Sequence, residues 1–396
     1  RPFRPAAPLG KEVIGMDLLQ RALVEHERWK GKLSVESKAS VRSMDDLSIA
    51  YTPGVAEPCK EIHKDREAVY RYTMKGNCVA VVTDGTAVLG LGDIGPEAAL
   101  PVMEGKAVLF KEFAGVDAFP ICLNTKKVEE IVQAVEWIAP VFGGINLEDI
   151  SAPRCFEIER TLKSRLSIPV FHDDQHGTAI VVLAALINAL TVVSKKAEDV
   201  KVVISGAGAA GNAVAFLLKT YGVKDITVCV RAGIIHREAP WLNWAQRELA
   251  EFTNLVQKTG TLADAMRGAD VFIGVSGPNI VTTEMVASMN SNAIVFALAN
   301  PVPEIMPDLA KAGGARVVGS GRSDYPNQVN NVLVFPGIFK GALKARKQIS
   351  EPMKLAAAKA IASMIAPGDL REDSILPKPF HPGVADQVAR AVLESE

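Results

Sequence analysis

The stretch "KVVISGAGAAGNAVAFLLKTYG" (201–222) constrains the fold more than any other part of the sequence. It reads as a short apolar strand, a turn with glycines spaced as G-x-G-x-x-G, and an apolar helix. This order is typical of dinucleotide-binding sheets, in which the glycines allow a tight turn and bring a helix N-terminus close to a pyrophosphate. A plain strand-to-helix turn can carry the same spacing, so the neighbouring elements must support the interpretation. The loop consists of Gly206, Ala207, Gly208, Ala209, Ala210 and Gly211.

Short apolar strands alternate with helical segments on both sides of this loop. Because 396 residues exceed one simple core, and because such alternation is typical of parallel sheets covered by helices, we expect an α/β fold with two domains. These are an N-terminal α/β substrate and metal domain (1–176) and a Rossmann-type, doubly wound dinucleotide-binding domain with a helical C-terminal region (177–396). The predicted strands lie at 78–85, 117–124, 145–150, 168–174, 201–205, 225–230, 269–276, 292–300 and 315–321.

Several helices are predicted from composition and flanking residues. Thr125 is the expected N-cap of a helix that runs to residue 140, and both 236–254 and 341–366 read as helical. The apolar run 179–193 is shorter than the roughly 20 residues that cross a bilayer and contains an asparagine. It therefore predicts a helix buried inside the protein.

The bulk composition excludes several classes of partner. The net charge is −1, hydrophobic residues make up 48% and charged residues 22%, and the two signs are interspersed. Such a chain lacks the basic surface that binds nucleic acid or an anionic membrane. The five cysteines are scattered singly, which indicates buried thiols in a reducing compartment and favours the cytoplasm. Residues 1–13 lack the apolar segment of a signal peptide, and 1–7 are expected to be disordered or a remnant of a leader or vector.

Two pairs of carboxylates follow consecutive strands of the first series. Glu148 and Asp149 end "NLEDI", and Asp173 and Asp174 end "VFHDD". One helix separates the strands, so they run parallel, and both pairs emerge at the carboxyl edge where open α/β sheets bind ligands. Converging carboxylates repel one another unless a cation binds between them, and oxygen ligands select a hard ion such as Mg²⁺ or Mn²⁺. Surface acids at strand ends are the alternative for either pair alone, but two matched pairs favour the metal.

The same segment, "FHDDQHGTA", contains His172 and His176. Two histidines at this spacing on one helix face can bind zinc, as in a zinc hydrolase. His172 lies in a predicted strand and Gly177 follows His176 directly, so we expect no helix to span both histidines. The zinc hydrolase is therefore the weaker alternative, and a non-catalytic dinucleotide-binding protein is a third.

A lysine and a tyrosine are candidates for proton transfer. In "PVMEGKAVLF", apolar residues lie three and four positions before and after Lys106, which places the lysine on the buried face of a helix. Burial lowers the pKa of a lysine, which would make Lys106 a candidate general base. A lysine that reaches out at the edge of the apolar stripe is the alternative. Tyr51, before a Thr-Pro-Gly turn, is either core packing or the acid partner of Lys106.

A second glycine motif and three asparagines are candidates for the substrate site. "GLGDIG" (90–95) also follows a strand, but Asp93 would repel a phosphate, so we expect a close-approach turn that lines the substrate site. Asn300 ends a strand at the ligand edge, and Asn330 and Asn331 lie beyond the last strand. Their amides can bind carboxylate or hydroxyl groups, although an ordinary turn is the simpler explanation for each one alone.

The coenzyme preference depends on the end of the second strand of the dinucleotide domain. An acidic residue there usually binds the ribose of NAD, whereas "ITVCVRAG" has Val230 and Arg231. An arginine at this place favours the 2′-phosphate of NADP, unless Arg231 simply faces solvent. Arg231, Ser276 at the end of a later strand, and Asn300 are assigned to the coenzyme site.

Taken in order, eight motifs resemble those of malic enzymes of the short prokaryotic type. They are "AYTPGVAEPC", "VTDGTAVLGLGDIG", "EGKAVLFK", "INLEDI", "FHDDQHGTA", "ISGAGAAG", "ALANPVPE" and "NQVNNVLVFPG", and they run from about residue 30 to the end of the chain. The resemblance implies oxidative decarboxylation of L-malate to pyruvate and CO₂, with reduction of NAD⁺ or NADP⁺ and a divalent metal, Mg²⁺ or Mn²⁺. It also suggests a homodimer or a higher homo-oligomer.

The resemblance implies a role for each candidate residue. Lys106 would take the proton of the C2 hydroxyl, Tyr51 would protonate C3 of the enolpyruvate, and Asp173 would orient the lysine. The implied metal ligands are Glu148, Asp149 and Asp174, and the implied substrate contacts are Lys106, Asn300, Asn330 and Asn331.

Two positions depart from the family pattern. Larger members of the family carry an arginine that pairs with a malate carboxylate where this chain has Ala87, so another cation must help to hold malate. Val230 stands where an acidic residue is expected, which leaves the choice between NAD and NADP open.

Overall fold

The computed structural model describes residues 17–395. The expectations for residues 1–13 therefore lie outside the described part of the chain. Within it, two largely parallel sheets are connected by helices, which confirms the predicted α/β class.

The chain enters the first sheet through four helices. They are α1 (Leu18–Trp29), α2 (Met44–Ala50), α3 (Ala56–Lys64) and α4 (Val69–Tyr72). Asp17 caps α1 through the amide of Gln20, and Ser43 and Asp46 form a reciprocal capping box on α2, which explains where these helices begin. None of the four helices has a fully buried residue.

The first sheet arises from a strand–helix series. Its elements are β1 (Cys78–Thr83), α5 (Pro96–Ala114), β2 (Asp117–Cys122), α6 (Val128–Ile138), β3 (Gly144–Leu147), α7 (Arg154–Arg165) and β4 (Val170–His172). The strands are parallel in the order β2-β1-β3-β4, and every residue of β1 is buried, as a central strand requires. Val82 pairs with Leu147, and Leu147 pairs with His172, so the carboxyl ends of β1, β3 and β4 meet at one edge.

A buried helical segment connects the two sheets. One turn of π-helix, Asp173–Gly177, follows β4 and continues into α8 (Thr178–Val193). The whole stretch Asp173–Val193 has 21 residues and is long and apolar enough to cross a membrane by length and composition, which corrects the shorter span read from the sequence. However, 72% of its most apolar window is buried inside the protein, as in the core helix of a globular domain.

The second sheet has the strand order β10-β9-β8-β5-β6-β7. Its elements are β5 (Lys201–Ser205), α9 (Ala209–Tyr221), β6 (Asp225–Val230), β7 (Gly233–Ile234), α10 (Trp244–Ala250), α11 (Leu262–Met266), β8 (Val271–Gly274), α12 (Thr283–Ala287), β9 (Ile294–Ala297), α13 (Pro307–Ala312) and β10 (Val317–Ser320). All pairs are parallel except that of β6 with the short edge strand β7. The strand order reverses at β5, directly before the glycine loop, which is the switch point at which doubly wound sheets bind dinucleotides.

Three C-terminal helices pack against both units. They are α14 (Phe335–Ala345), α15 (Glu351–Ala362) and α16 (Val384–Glu394). Phe110 of α5 meets the rings of Phe335 at 4.8 Å and Phe339 at 5.3 Å, and Phe339 also meets Phe171 of β4 at 5.8 Å. The C-terminal helices therefore complete the core beside the first sheet, and the division of the chain at residue 176 stays a prediction.

Three helix predictions are wrong in their limits. Thr125 accepts a hydrogen bond from Lys127 in a turn before α6, which begins at Val128 without a side-chain cap. In 236–254 only α10 is helical, since Asn243 forms a capping box that starts a helix there. The segment 341–366 is divided between α14 and α15, because Pro352 cannot donate the amide hydrogen bond that a continuous helix needs.

The cysteine prediction holds in part. All five cysteines are free, and Cys78, Cys155 and Cys229 are buried as expected of small apolar side chains. Cys59 is exposed and Cys122 is half-buried, so these two do not fit that expectation.

Candidate active site

Three carboxylates converge at the carboxyl edge of the first sheet. Glu148 and Asp149 follow β3, and Asp174 lies in the π turn after β4. One ligand oxygen from each lies within 4.8 Å of the others, and no other group of three such side chains occurs between residues 17 and 395. The geometry thus brings together the three residues that the sequence proposed as metal ligands.

The local backbone aims these carboxylates at one point. Asp149 has a left-handed conformation (φ 52°), and its amide donates to Asp174 Oδ2 at 2.7 Å, while its carbonyl accepts from Ala87 at 2.9 Å. Gly177, at the end of the π turn, has no room for a side chain, because a Cβ there would lie 1.9 Å from Asp173 Oδ1. A glycine is therefore required where the turn passes over the Asp173 carboxylate.

The carboxylates strongly disfavour one another's charge. Burial, reinforced by repulsion from the neighbouring acids, raises the pKa of Asp149 to about 9 and also raises the pKa of Glu148. Burial raises the pKa of Asp174 to about 6, with its charge favoured by Lys106 and by the Asp149 amide. Asp149 Oδ2 is buried without a hydrogen-bond partner. An oxygen-only cluster with an unsatisfied carboxylate oxygen fits a hard divalent cation such as Mg²⁺ or Mn²⁺.

Lys106 lies beside this cluster as a buried cation. Its side chain comes from α5 and is 8% exposed, and Nζ donates to Asp173 Oδ2 at 2.7 Å and lies 3.0 Å from Glu148 Oε1. Nζ also lies 4.3 Å from the centre of the Phe335 ring. The sequence correctly predicted burial but gave the wrong direction for the pKa. Burial does lower the pKa of Lys106, but the charges of Asp173 and Glu148 together outweigh it, and the pKa is raised.

Asp173 connects Lys106 to the C-terminal part of the chain. Its Oδ2 also accepts from Asn331 Nδ2 at 2.6 Å, and burial raises its pKa to about 7 against the opposing charge of Lys106. Asn330, by contrast, uses its side-chain oxygen to cap the following turn through the amide of Val332 at 2.9 Å. The two adjacent asparagines therefore have different roles, which the sequence alone did not separate.

The glycine motif at 90–95 contacts the loop that contains Asn300. A Cβ on Gly90 would lie 3.1 Å from Asn300 O, as expected of a close-approach turn, and Asp93 forms an ion pair with Lys126. Asn300 itself lies near Gly321, whose Cβ position is 3.6 Å from Asn300 Nδ2. Asn300 is thus at the carboxyl edge of the second sheet.

Tyr51 is not brought to this site within one chain. Its side chain is 68% exposed, and no hydrogen bond or ring contact of the described residues joins it to Lys106. The interpretation of Tyr51 as core packing is therefore wrong, and its role as an acid stays a prediction.

Neither histidine belongs to the metal cluster, although His172 Nδ1 lies 3.8 Å from Asp174 Oδ2. His172 is fully buried in β4, and neither of its ring nitrogens has a hydrogen-bond partner. His176 lies in the π turn, where burial lowers its pKa to about 4. Gly177 does not interrupt the helix as the sequence suggested, but His172 belongs to the strand, so the two histidines do not share a helix face. The zinc alternative loses its geometric basis.

The loop after β5 is open in front of the N-terminus of α9. Gly206 has φ 114°, and a Cβ on Gly211 would lie 1.9 Å from Gly206 O, so both glycines are needed for the turn. A Cβ on Gly208, by contrast, would meet no atom within 4 Å, and no side chain caps the helix. Free amides and open space at a helix N-terminus fit a pyrophosphate.

A buried glutamate organises the neighbouring loops, and the sequence analysis missed it. Glu304 accepts from the amides of Ser276 at 2.8 Å and Ala299 at 3.0 Å, and Ser276 Oγ lies 2.9 Å from Ser205 Oγ. Ser276 therefore lies next to the glycine loop, and its assignment to the coenzyme site stays a prediction. The signal for Glu304 was its position in "NPVPE", shortly after the strand that was predicted at 292–300 and that ends at Ala297 in the structure. Arg231, by contrast, is exposed after β6.

A doubly wound sheet with an open glycine loop, beside an oxygen cluster and an ion-paired lysine, defines a dinucleotide-dependent, metal-assisted oxidoreductase. Residues 30–128 and 125–163 match the family model of the malic enzyme N-terminal domain, and residues 175–395 match that of the malic enzyme NAD-binding domain. The chain belongs to the malic enzyme family, which confirms the resemblance read from its motifs.

Individual relatives agree with this assignment. The bifunctional malic/malolactic enzyme of Bacillus subtilis is 59% identical over 96% of this chain and 93% of its own length. The NAD-dependent malic enzyme of Geobacillus stearothermophilus is 59% identical over 92% of this chain and 76% of its own length. The crystal structure of the NAD-dependent malic enzyme from Thermotoga maritima has a TM-score of 0.91 at 48% identity, covering 96% of this chain and 99% of that one.

Proposed function

We propose that this chain catalyses the oxidative decarboxylation of L-malate to pyruvate and CO₂ with NAD⁺ or NADP⁺ and Mg²⁺ or Mn²⁺. The observation that carries the proposal is Lys106, ion-paired to Asp173 and Glu148 at the edge of a three-carboxylate cluster. Relatives of both coenzyme types support the general reaction, since the matched proteins include NAD-dependent and NADP-dependent malic enzymes. The membership of the malic enzyme family and the geometry around Lys106 both support this reaction.

The bound groups would supply the chemistry that side chains lack. Glu148, Asp149 and Asp174 would hold the divalent ion, and the loop Gly206–Gly211 would hold the coenzyme pyrophosphate. When bound, the ion supplies a Lewis acid for the negative charge that develops on the substrate, and the nicotinamide accepts the hydride of C2.

Lys106 is proposed to move the proton of the C2 hydroxyl. In the free protein the amine is held protonated by Asp173 and Glu148, so it can act as a base only after their charge is compensated. The ammonium proton would then leave to solvent, and Asp173, whose Oδ2 lies 2.7 Å from Nζ, would keep the neutral amine in place. The neutral amine would then accept the hydroxyl proton, C2 would lose its hydride, and the C4 carboxylate would leave as CO₂. The electron pair of the broken bond forms enolpyruvate, which must be protonated at C3.

Tyr51 is proposed as the proton donor to C3, in a homodimer or higher oligomer. Tyr51 follows α2 directly, and helices α1 and α2 expose large apolar side chains. A second copy of the chain would cover these side chains. They include Leu18, Leu19, Leu23, Met44 and Ile49. Sedimentation of the wild type and of Leu23→Asp tests this: the wild type should be at least dimeric and the variant smaller, and a monomeric wild type would contradict it.

The reaction is tested by malate-dependent reduction of coenzyme in Mn²⁺, with NAD⁺ and NADP⁺ measured side by side. Turnover should stop with EDTA and return with added Mn²⁺. A Lys106→Ala variant that binds coenzyme but lacks turnover separates an enzyme from a non-catalytic dinucleotide-binding protein. If neither coenzyme supports turnover with malate and metal, the proposal is wrong. The free cysteines support a cytoplasmic location, which fractionation of the native cell tests.

A further inference from the structure

His176 is held at both ring nitrogens by charged side chains from two other parts of the chain. Its Nε2 lies 2.9 Å from Glu159 Oε2 of α7, and its Nδ1 lies 3.0 Å from Lys354 Nζ of α15. An ammonium group has only donors, so Lys354 donates to Nδ1. The ring proton must then be on Nε2 and be donated to Glu159, so His176 is a neutral imidazole in one fixed tautomer.

Both partners of His176 are themselves buried and fixed. Glu159 is 4% exposed and also pairs with Lys163 Nζ at 2.8 Å, while Lys354 is 3% exposed and donates to Glu351 Oε1 at 2.6 Å. Two carboxylates and two ammonium groups balance, so the network is neutral. Removal of one partner from such a buried pair leaves an uncompensated charge, so each of these residues is needed to hold the others in place.

Glu159 forms hydrogen bonds with both ends of the segment 172–176, which contains Asp173 and Asp174. Its Oε1 accepts from the backbone amide of His172 at 3.3 Å, and its Oε2 accepts from the ring of His176. Asp173 and Asp174 lie between these two attachment points, yet neither of them contacts Glu159 or Lys354 through a described hydrogen bond. Glu159 therefore fixes the π turn at both of its ends, through contacts that do not involve the carboxylates of Asp173 and Asp174.

We propose that Glu159, His176 and Lys354 form a positioning clamp that sets the direction of the Asp173 and Asp174 side chains and thereby the affinity for the divalent ion. The inference rests on the proposed function of Glu148, Asp149 and Asp174 as metal ligands. It assigns a role to three buried residues that lie outside the three-carboxylate cluster. Since Lys354 belongs to α15, it also makes the metal site depend on the C-terminal helices.

The test is the affinity for Mn²⁺, measured by electron paramagnetic resonance of free Mn²⁺ without malate or coenzyme. His176→Gln keeps one acceptor for Lys354 and one donor for Glu159, whereas His176→Phe removes both. We expect His176→Phe and Lys354→Met to weaken Mn²⁺ binding at least tenfold, as loss of a group that orients metal ligands does, and His176→Gln to stay within threefold of the wild type. Should His176→Phe fail to fold, Lys354→Met decides by the same criterion.

Asn188→Ala is the matched control for stability. Asn188 of α8 also joins that helix to the C-terminal region, through the carbonyls of Ala362 at 2.9 Å and Ile375 at 2.8 Å. It lies about 18 Å along the helical segment from His176, at roughly 1.5 Å per residue. The control should lower the melting temperature and leave the Mn²⁺ affinity unchanged.

The clamp is refuted if His176→Phe and Lys354→Met lower the melting temperature but keep the Mn²⁺ affinity within twofold. It is also refuted if His176→Gln binds Mn²⁺ as poorly as His176→Phe, because the hydrogen bonds would then not be the cause. If the wild type itself binds no Mn²⁺, the proposed metal site fails rather than the clamp alone.

Discussion

Binding of Mn²⁺ to the cluster of Glu148, Asp149 and Asp174 should release about one proton per ion at pH 7. Burial and repulsion by neighbouring acids raise the pKa of Asp149 to about 9, and burial raises that of Asp174 to about 6. At pH 7 groups with these values are ~99% and ~10% protonated, so Asp149 and Asp174 together hold about one proton. A divalent ion binds the ionised carboxylates, so this proton must leave when the ion enters.

The assay is isothermal titration of Mn²⁺ in two buffers that differ in their enthalpy of ionisation. The difference in apparent binding enthalpy gives the number of protons released. Asp149→Asn is the matched control, because its amide cannot hold the proton; it should bind Mn²⁺ more weakly and release close to none. A release close to zero in the wild type would show that all three carboxylates are already ionised and would refute the argument from burial.

The same pKa shift gives the sign of the pH dependence of stability. Because the pKa of Asp149 in the folded state lies above its ordinary value of 3.8, the folded state binds the proton more tightly than the unfolded state. This contribution to stability is complete below about pH 4 and is lost as the pH rises through about 9. Mn²⁺ at a hundredfold excess over its dissociation constant adds ~2.7 kcal/mol to the free energy of unfolding. The affinity for Mn²⁺ rises as the pH rises, because Asp149 loses its proton. The increase in melting temperature caused by a fixed Mn²⁺ concentration should therefore grow between pH 6 and 8, and a decrease would contradict this.

Three further predictions concern single residues. Lys106→Met should lower kcat by about 10²–10⁴-fold, as expected on loss of a general base. Coenzyme affinity, followed by nicotinamide fluorescence, should stay within twofold, and an active variant would exclude Lys106 as the base. Gly208→Ala should keep the melting temperature of the wild type but weaken coenzyme binding, because its Cβ meets no atom of the protein within 4 Å. Gly211→Ala should lower both the melting temperature and the coenzyme affinity, because its Cβ would lie 1.9 Å from Gly206 O. Arg231→Ala should raise KM for NADP⁺ at least threefold more than KM for NAD⁺ if the arginine binds the 2′-phosphate. An equal change in the two KM values would show that Arg231 faces solvent and does not bind this phosphate.

The parts of the molecule that were predictable depend on local pattern and strand direction. The glycine loop follows from a strand, a turn and a helix that are contiguous in sequence. The convergence of Glu148 and Asp174 follows from two parallel strands joined by one helix, since these must end at the same edge. Neither inference needs any contact between distant segments.

The parts that were not predictable depend on which distant side chains meet. Apolar spacing placed Lys106 on a buried helix face, but its charged partners come from the segments that follow β3 and β4. These partners reverse the direction of its pKa shift. Asn331 reaches Asp173 across 158 positions of sequence, while its neighbour Asn330 only caps a turn. Tyr51 is exposed in a single chain, and a sequence cannot show whether a second copy covers it.

The charges at the site explain why metal and substrate must act together. Glu148, Asp149, Asp173 and Asp174 carry four formal negative charges when ionised, and Lys106 is the cation that pairs with this group, which leaves a formal charge of −3. Malate is itself a dianion and would meet strong repulsion there. A proton on Asp149 reduces this formal charge to −2 in the free protein, but a protonated Asp149 is a poor metal ligand. A divalent ion displaces that proton and leaves a formal charge of −1, so malate meets less repulsion once the ion is bound. The ion should therefore bind before the substrate.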